Sequence, residues 1–381
     1  MSAGLGETPS GGRVHIAFFG LRNAGKSTLV NAFTGQPLAI VSEVAGTTTD
    51  PVSKAMEILP LGPCLVTDTA GLDDEGELGA MRVRKSLDVL ATTDIAVWVA
   101  SPDGGEAEER ALRRFREECA ARSTVALEYR RGDSVEELKR RIASAKVADR
   151  EPGLLDGLVG RGDSVVCVVP IDESAPKGRL ILPQQQVLRD CLDRGATATV
   201  CQPDMLPEVL VRGGFSLAVT DSQAFGAVAA AIRASRTPEL RLTSFSILFA
   251  RQKGDLAEYV RGLDAARSLR DGDVVLVAEG CTHHRQCADI GSVKIPKALK
   301  KLSGSNPRVE LASGSGFDLE GAAPRLVVHC GGCMLTRREV QRRIALCRAK
   351  GVPIVNYGIV LAAASGQTVE RDGRILYTIP R

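Results

Sequence analysis

Two groups of residues in this chain have types and spacings that could do chemistry. The first is Gly20-Leu21-Arg22-Asn23-Ala24-Gly25-Lys26-Ser27, which fits the pattern G-x-x-x-x-G-K-S/T. Glycines at these places let backbone N–H groups converge on phosphate oxygens, and the N-terminus of a following helix adds its partial positive charge. In such a loop Lys26 reaches the β- and γ-phosphates and the Ser27 hydroxyl binds Mg2+. The second group is split along the chain: Cys281-Thr282-His283-His284, and His329-Cys330-Gly331-Gly332-Cys333. Three of the four histidines fall within it.

The second group has the chemistry of a soft-metal site. A Cys-x-x-Cys bends two thiolates toward one centre, and its two glycines let backbone N–H groups approach sulfur. Cys281, Cys330 and Cys333 supply three thiolates, enough for a [4Fe-4S] cluster whose fourth iron takes a weaker or exchangeable ligand. The same residues with His283 would make a closed tetrahedral zinc site. A redox dithiol at Cys330 and Cys333 is a third reading, which leaves the histidines unexplained. Residue types alone do not separate zinc from iron–sulfur. His284 and Cys287 are further candidates around this group, and His15 is read as structural.

Two segments downstream of the phosphate loop extend the first group. In "GTTTD" (46–50), Thr47 and Thr48 lie where a threonine hydroxyl completes the Mg2+ shell when a γ-phosphate is present, Thr48 being the candidate ligand. "DTAG" (68–71) brings Asp68 near the metal and the Gly71 N–H near the γ-phosphate. In this order they resemble the switch regions of a GTPase, most closely of the Era/TrmE-like class. The nucleotide-binding set is then Gly20, Asn23, Ala24, Gly25, Lys26, Ser27, Thr28, Thr47, Thr48, Asp68 and Gly71, with Ser27, Thr48 and Asp68 for Mg2+. The resemblance makes Asn23 a candidate K+ ligand, the alternative being a loop-capping side chain. GTPases of this class read guanine with Asn-Lys-x-Asp, and none of the chain's four asparagines precedes a lysine. Between the helix at 106–122 and the helix that begins near Ser134 there is room for one strand, where a full domain has two strands and another helix. Base selectivity is therefore in doubt, and no hydrolytic base is assigned; the acids Asp73, Asp74 and Glu75 read as a solvated loop.

These residues need elements to hold them. "VHIAFF" (14–19) is an apolar run of strand length ahead of the phosphate loop, and "STLVNAFTG" continues with helical spacing to a Gly35 stop. "CLVTD" (64–68), "DIAVWVA" (94–100) and "TVALEY" (124–129) read as strands, with an amphipathic helix at "SVEELKRRIASA". A second alternating pattern runs from "VVCVVPID" through "QQQVLRDCLDRG", "ATATVCQ" and "FSLAVT" to "SQAFGAVAAAIRAS". The polar stretch "SRTPELRLTS" separates a third, with "DVVLVAEG", "RLVVHC" and "VPIVNYG" as strands and "TRREVQRRIALCRAKG" as a helix. Both halves of the Cys/His group thus follow strands, where α/β sheets form their ligand crevice. The fold class expected is α/β: three α/β domains with mostly parallel sheets, the N-terminal one P-loop GTPase-like and truncated. The boundaries expected are a flexible tail at 1–12, then 13–150, 160–240 and 241–381.

Composition bounds the function classes. At 381 residues, with 44% hydrophobic and 25% charged residues, the chain is an ordinary globular protein of two or three domains. A net charge of +3 without a basic block gives no electrostatic support for a nucleic-acid partner. The N-terminal residues do not read as a signal peptide, and no apolar run approaches the ~18 residues that cross a bilayer. The expectation is a cytoplasmic protein without membrane contact. Cys64, Cys119, Cys167, Cys191 and Cys201 lie in apolar patterns and read as small core residues.

A GTPase-type N-terminus followed by Cys-x-His, 45 residues, and His-Cys-x-x-Cys resembles the HydF family of [FeFe]-hydrogenase maturation GTPases. The likeness extends through "VAGTTTDPVSKAMEILPLGP", "PIDESAPKGRLILPQQQ", "TDSQAF", "LTSFSILFARQKGD", "CTHHRQCADIG" and "HCGGCMLTRREV". It implies a G domain, a dimerisation domain, and a cluster-binding domain that also mediates tetramers, so a homodimer or homotetramer. It implies GTP with Mg2+ as a switch, and a [4Fe-4S] cluster on Cys281, Cys330 and Cys333 whose exchangeable ligand could be His283. It further implies a scaffold that receives a di-iron CO/cyanide precursor made with two radical-SAM maturases and delivers it to apo [FeFe]-hydrogenase. The competing readings are an Era/TrmE-like GTPase acting in RNA modification or ribosome assembly, and a zinc-stabilised interaction protein with a vestigial G domain.

Overall fold

The computed structural model describes residues 10–35, 52–72, 76–101, 105–147, 152–171, 180–280, 290–313, 317, 319, 323–366, 368–371 and 376–379. The chain divides into two compact units, 1–150 and 151–381.

In the first unit the order is β1 (Val14–Phe19), α1 (Lys26–Thr34), β2 (Val52–Ile58), β3 (Gly62–Asp68), α2 (Gly76–Thr92), β4 (Ile95–Val99), α3 (Glu106–Ala121), β5 (Val125–Tyr129) and α4 (Val135–Ala143). The sheet runs β2-β3-β1-β4-β5, with β2 antiparallel to β3 and all other pairs parallel. Strand residues alternate between two cores. Ile16, Phe18, Ile95 and Val97 pack with Leu29 and Phe33 of α1 and Leu138 and Ile142 of α4. Ala17, Phe19, Ala96 and Trp98 pack with Leu90 of α2 and Phe115 and Cys119 of α3. Helices on both faces explain why β1 and β4 read as unbroken apolar runs. Strand β2 escaped that reading because it is an edge strand with Val52, Ser53, Ala55 and Glu57 turned outward or half outward. Beyond α3, among the described residues, the sheet holds a single further strand, β5.

In the second unit the order is β6 (Ser164–Val168), α5 (Leu182–Arg194), β7 (Thr197–Cys201), α6 (Leu206–Val211), β8 (Leu217–Thr220), α7 (Phe225–Ala234), β9 (Leu242–Ser244), α8 (Phe245–Lys253) and α9 (Leu256–Arg267). It continues with β10 (Val274–Glu279), α10 (Ile295–Ser303), β11 (Arg308–Ser313), β12 (Leu326–His329), α11 (Arg337–Ala349), β13 (Ile354–Asn356), α12 (Tyr357–Ala364) and the pair β14 (Thr368–Arg371) and β15 (Leu376–Ile379). One sheet is β11-β10-β12-β13, wholly parallel. The other is β14-β15-β9-β8-β6-β7, in which β14, β15 and β9 are joined antiparallel. The polar stretch expected to be a separator therefore ends in a strand: Leu242 to Ser244 are buried and pair with Ala218 to Thr220. The strand β9 runs directly into α8, whose N-terminus Ser244 caps by accepting from the Ile247 N–H at 3.2 Å.

Helix α8 couples the two sheets. Its Phe245, Leu248 and Phe249 fill the core formed with Val165, Cys167, Val187 and Val219. Its Ile247 and Ala250 join a second core containing Val275, Val277, Val328 and Ile354. A helix apolar on nearly all sides is the pattern of an element buried between layers. Cys64, Cys119, Cys167 and Cys191 are buried core residues, and Cys201 is half-buried.

Candidate functional site

The phosphate-type loop is built by the end of β1 and the start of α1. The backbone turns away at Gly20, where a Cβ would lie 2.5 Å from the Val99 carbonyl oxygen of the neighbouring strand, so only glycine fits. Asn23 and Gly25 take positive φ, 61° and 90°, and Asn23 is exposed. Ala24 is buried against the core, while Thr28 is exposed on the first turn of α1. Lys26 is only 7% exposed and crosses its own loop, its Nζ donating to Leu21 O at 2.7 Å and Gly20 O at 3.3 Å. The ammonium is thus held at the centre of the loop.

Strand β3 brings the acid of the second segment to this place. The Ser27 hydroxyl donates to Asp68 Oδ2, 41 positions along the chain, at 2.6 Å. Asp68 is fully buried, and its other oxygen, Oδ1, has no hydrogen-bond partner among the described residues. Burial pushes this carboxyl up, against the pull of the Ser27 hydroxyl and the Lys26 charge. An orphaned, buried carboxylate oxygen beside a serine hydroxyl and a lysine is what a divalent cation would satisfy, so the residues fit Mg2+. The segment after Asp68 is tied down by Thr69 Oγ1 donating to Phe18 O at 2.7 Å, and by the Leu72 N–H donating to Gly20 O at 3.2 Å. Gly71 is buried beside the loop it would serve. Thr47 and Thr48 lie outside the described residues, as do Asp73, Asp74 and Glu75.

The loop following β5 is closed on itself. The Arg130 N–H donates to Asp133 Oδ2 at 2.8 Å, the Asp133 N–H returns to Arg130 O at 2.9 Å, and the Tyr129 hydroxyl donates to Asp133 O at 3.0 Å. Ser134 then caps α4. At this sheet end the Asp133 carboxylate thus accepts from its own turn through Oδ2.

The thiol site forms at the carboxyl ends of β10 and β12, adjacent parallel strands in which Ala278 pairs with His329. The Cys330 N–H donates to Ala278 O at 2.9 Å, and the Gly280 N–H donates to Cys330 Sγ at 3.1 Å. Gly280 leaves no room for a side chain, since a Cβ would lie 2.6 Å from Leu335. Burial raises the Cys330 thiol, while N–H groups of Gly332 and Gly280 act to lower it. Burial likewise pushes Cys333 up to about 11, against the Lys253 charge and the N–H groups of Met334 and of Cys333 itself. Backbone donors at both sulfurs offset part of that burial, and the donor set fits an iron–sulfur or zinc centre. Among the described residues no group of three or more metal-ligating side chains converges. Cys281 and His283, with His284 and Cys287, lie outside them, Cys281 directly after Gly280.

Behind the thiols lies a polar assembly with little signature in the sequence. His329 is 1% exposed, with Nδ1 2.7 Å from Cys330 O and Nε2 3.3 Å from Arg343. A carbonyl only accepts and a guanidinium only donates, so Nδ1 carries the proton and Nε2 accepts. Burial first, and the Arg343 charge second, drop His329 to about 4, so the ring is neutral. Arg343, also 1% exposed, donates to Glu339 Oε1 at 2.6 Å and stacks 5.0 Å from the Phe317 ring. Lys253, 2% exposed at the end of α8, donates to Leu335 O at 2.6 Å and to Gly332 O at 3.4 Å. Asn356 at the end of β13 donates to Cys330 O at 3.3 Å and accepts from the Gly358 N–H. The signal that could have found these residues is a charge set inside an apolar helical stripe, such as Lys253 four positions after Phe249.

Family models match three consecutive stretches: a 50S ribosome-binding GTPase over residues 15–128, a hydrogen maturase F dimerization domain over 154–254, and a hydrogen maturase F tetramerization domain over 257–374. Among curated relatives, the tRNA modification GTPase MnmE of Methylobacterium sp. (strain 4-46) is 30% identical over 259 residues, 64% of this chain and 53% of the relative. That of Endomicrobium trichonymphae is 34% identical over 101 residues, 25% of this chain and 22% of the relative. The chain thus spans about half the length of the first relative and less of the second. Of solved structures, Era in complex with MgGDPNP and nucleotides 1506–1542 of 16S ribosomal RNA matches at TM-score 0.26 and 16% identity, covering 50% of this chain and 91% of Era. An Aquifex aeolicus Era variant bound to GDP and aluminium fluoride matches at TM-score 0.27 and 14% identity, covering 79% and 92%. No helix among the described residues is long and apolar enough to cross a membrane. With a GTPase stretch followed by both hydrogen maturase F domains along one chain, the protein belongs to the HydF family of hydrogenase-maturation proteins.

Proposed function

We propose that this chain is a scaffold and carrier: it holds a [4Fe-4S] cluster on Cys281, Cys330 and Cys333 and conveys a di-iron CO/cyanide precursor to apo [FeFe]-hydrogenase, working with two radical-SAM maturases. The observation that carries the reading is the Gly280 N–H donating to Cys330 Sγ at 3.1 Å, which brings the residue preceding Cys281 into contact with a thiol of the other segment. Three thiolates leave one iron corner open, and an open corner supplies a place for a bridging ligand such as cyanide to bind and later leave. His283 is the proposed exchangeable ligand. Residues 13–150 form the GTP- and Mg2+-binding part, with Asn23 a proposed K+ ligand; residues 160–240 form the dimerisation part and 241–381 the cluster-binding part of a homodimer or homotetramer. In the nucleotide part Lys26 neutralises phosphate charge, and Ser27, Thr48 and Asp68 orient the metal. GTP acts as a switch on the segments after Gly46 and Gly71.

The curated relatives favour a second reading, a GTPase of tRNA modification. The maturation reading is preferred because two of the three matched stretches, 154–254 and 257–374, belong to hydrogen maturase F domains. Anaerobic reconstitution with iron and sulfide, followed by EPR of the reduced protein, tests it. The expected result is one cluster per chain, lost in Cys281→Ala, Cys330→Ala and Cys333→Ala. Bound zinc without an iron–sulfur signal overturns it, as does a cluster that survives Cys281→Ala.

A further inference from the structure

We propose that Lys253 is a positioning residue for the thiol site: it fixes the turn carrying Cys333 and sets a buried positive charge beside it, which raises the reduction potential of the centre the thiolates hold. This rests on the cluster reading above.

The geometry of Lys253 is specific. Its Nζ donates to Gly332 O and Leu335 O, carbonyls on either side of Cys333 in the chain, so one ammonium pins both ends of the bend. The ammonium also lies 5.2 Å from the centre of the Phe249 ring, one helical turn earlier on α8. The end of α8 is fastened to the helix that follows the bend: Gln341 Nε2 donates to Lys253 O at 2.8 Å and to Gly254 O at 3.1 Å. Gly254 itself admits no side chain, with Tyr259 2.5 Å from where a Cβ would sit. The position of the lysine is thus set from both sides.

Pinning two carbonyls needs only a donor, and a neutral amide could supply it. A lysine 2% exposed adds a charge whose burial is costly. That charge lies in a low-dielectric interior, where its field is far less screened than at a surface. Arg343, also buried at this site, is ion-paired with Glu339, to which Arg342 is also bound. On the Cys330 side there is a buried carboxylate, Glu279, which accepts from the Tyr357 hydroxyl at 3.4 Å. Three thiolates around a [4Fe-4S] core already make the assembly anionic, and one-electron reduction adds a further negative charge. A fixed positive charge nearby stabilises the reduced form more than the oxidised form, and local charge is one of the factors that set cluster potentials.

The test uses the full chain, reconstituted anaerobically with iron and sulfide, as wild type and as Lys253→Gln, Lys253→Met and Lys253→Arg. The midpoint of one-electron reduction is read by EPR during a potentiometric titration, with iron per chain and the thermal midpoint of the apo-protein alongside. The expected result is a midpoint more negative in the Gln and Met variants and restored toward wild type by Arg. Loss of iron from Gln and Met but not Arg, at an unchanged apo thermal midpoint, also supports the charge. Equal midpoints in wild type and Lys253→Gln, both carrying full iron, overturn the inference and leave the cluster reading standing. A wild-type chain that takes up no cluster overturns both.

Discussion

At the residue scale, the two halves of the molecule share a device: a buried lysine donating into backbone carbonyls of the loop it serves. Lys26 does so in the phosphate loop and Lys253 in the thiol turn. Removing the first tests its role directly. A charge-assisted contact to phosphate is worth about 1.5–3 kcal/mol, so Lys26→Ala should weaken nucleotide binding by roughly 10- to 100-fold, measured by titration calorimetry with Mg2+. The charged pair behind the thiols makes a stability prediction. Arg343 and Glu339 are both buried, and deleting one partner of such a pair costs about 3–5 kcal/mol. Arg343→Met should lower the unfolding free energy by that order in urea titrations. Glu339 gives a pH dependence. Burial alone would raise its carboxyl, but Arg342 and Arg343 hold it below its ordinary value of 4.5. A depressed carboxylate contributes stability that is fully present above the unfolded value and is lost as pH falls through the folded one. Urea midpoints of wild type and Glu339→Gln should therefore differ most near neutrality and converge as pH drops below 4.5.

At the element scale, the first sheet stops at β5, and the turn after it is closed by Asp133 on its own backbone. Asp133 is engaged there by its own turn through Oδ2, and no Asn-Lys-x-Asp stands in the sequence to read the base. GTP and ATP should therefore bind with affinities within roughly threefold of one another, about 0.7 kcal/mol, in titrations with Mg2+; a hundredfold preference for GTP would show that another segment reads the base. Strands β1, β4, β6, β10 and β12 were legible because helices cover both faces and leave them apolar throughout. Strand β9 was not: three residues inside a polar stretch carry little periodic signal, and their burial comes from pairing with β8. Edge strands β2 and β11 were hidden by half-exposed, mixed sequences.

At the scale of the whole molecule, the second unit is one compact body in which the larger of two cores runs from Val166 and Leu242 to Val328 and Ile354. The two hydrogen maturase F stretches it contains carry dimerization and tetramerization domains, so light scattering of the full chain should return an integral multiple of the chain mass. The phosphate loop was readable from sequence because its chemistry is local: eight consecutive residues carry the glycines, the lysine and the serine. Its acid, Asp68, was readable as a motif, but the unpartnered Oδ1 that makes it a candidate cation ligand exists only once β3 lies beside β1. Cys330 and Cys333 were readable by type and spacing, and Cys281, which the sequence groups with them, lies outside the described residues. What the sequence alone determined is thus the set of reactive side chains and the strands that end at them, since both depend on neighbours a few positions apart. Only the tertiary structure decided that Gly280 touches Cys330, that His329 is a neutral spacer held by Arg343, and that Lys253 lies under the thiol turn. Those contacts join residues 14 to 82 positions apart, and the burial that gives a distant charge its strength is a property of the packed interior.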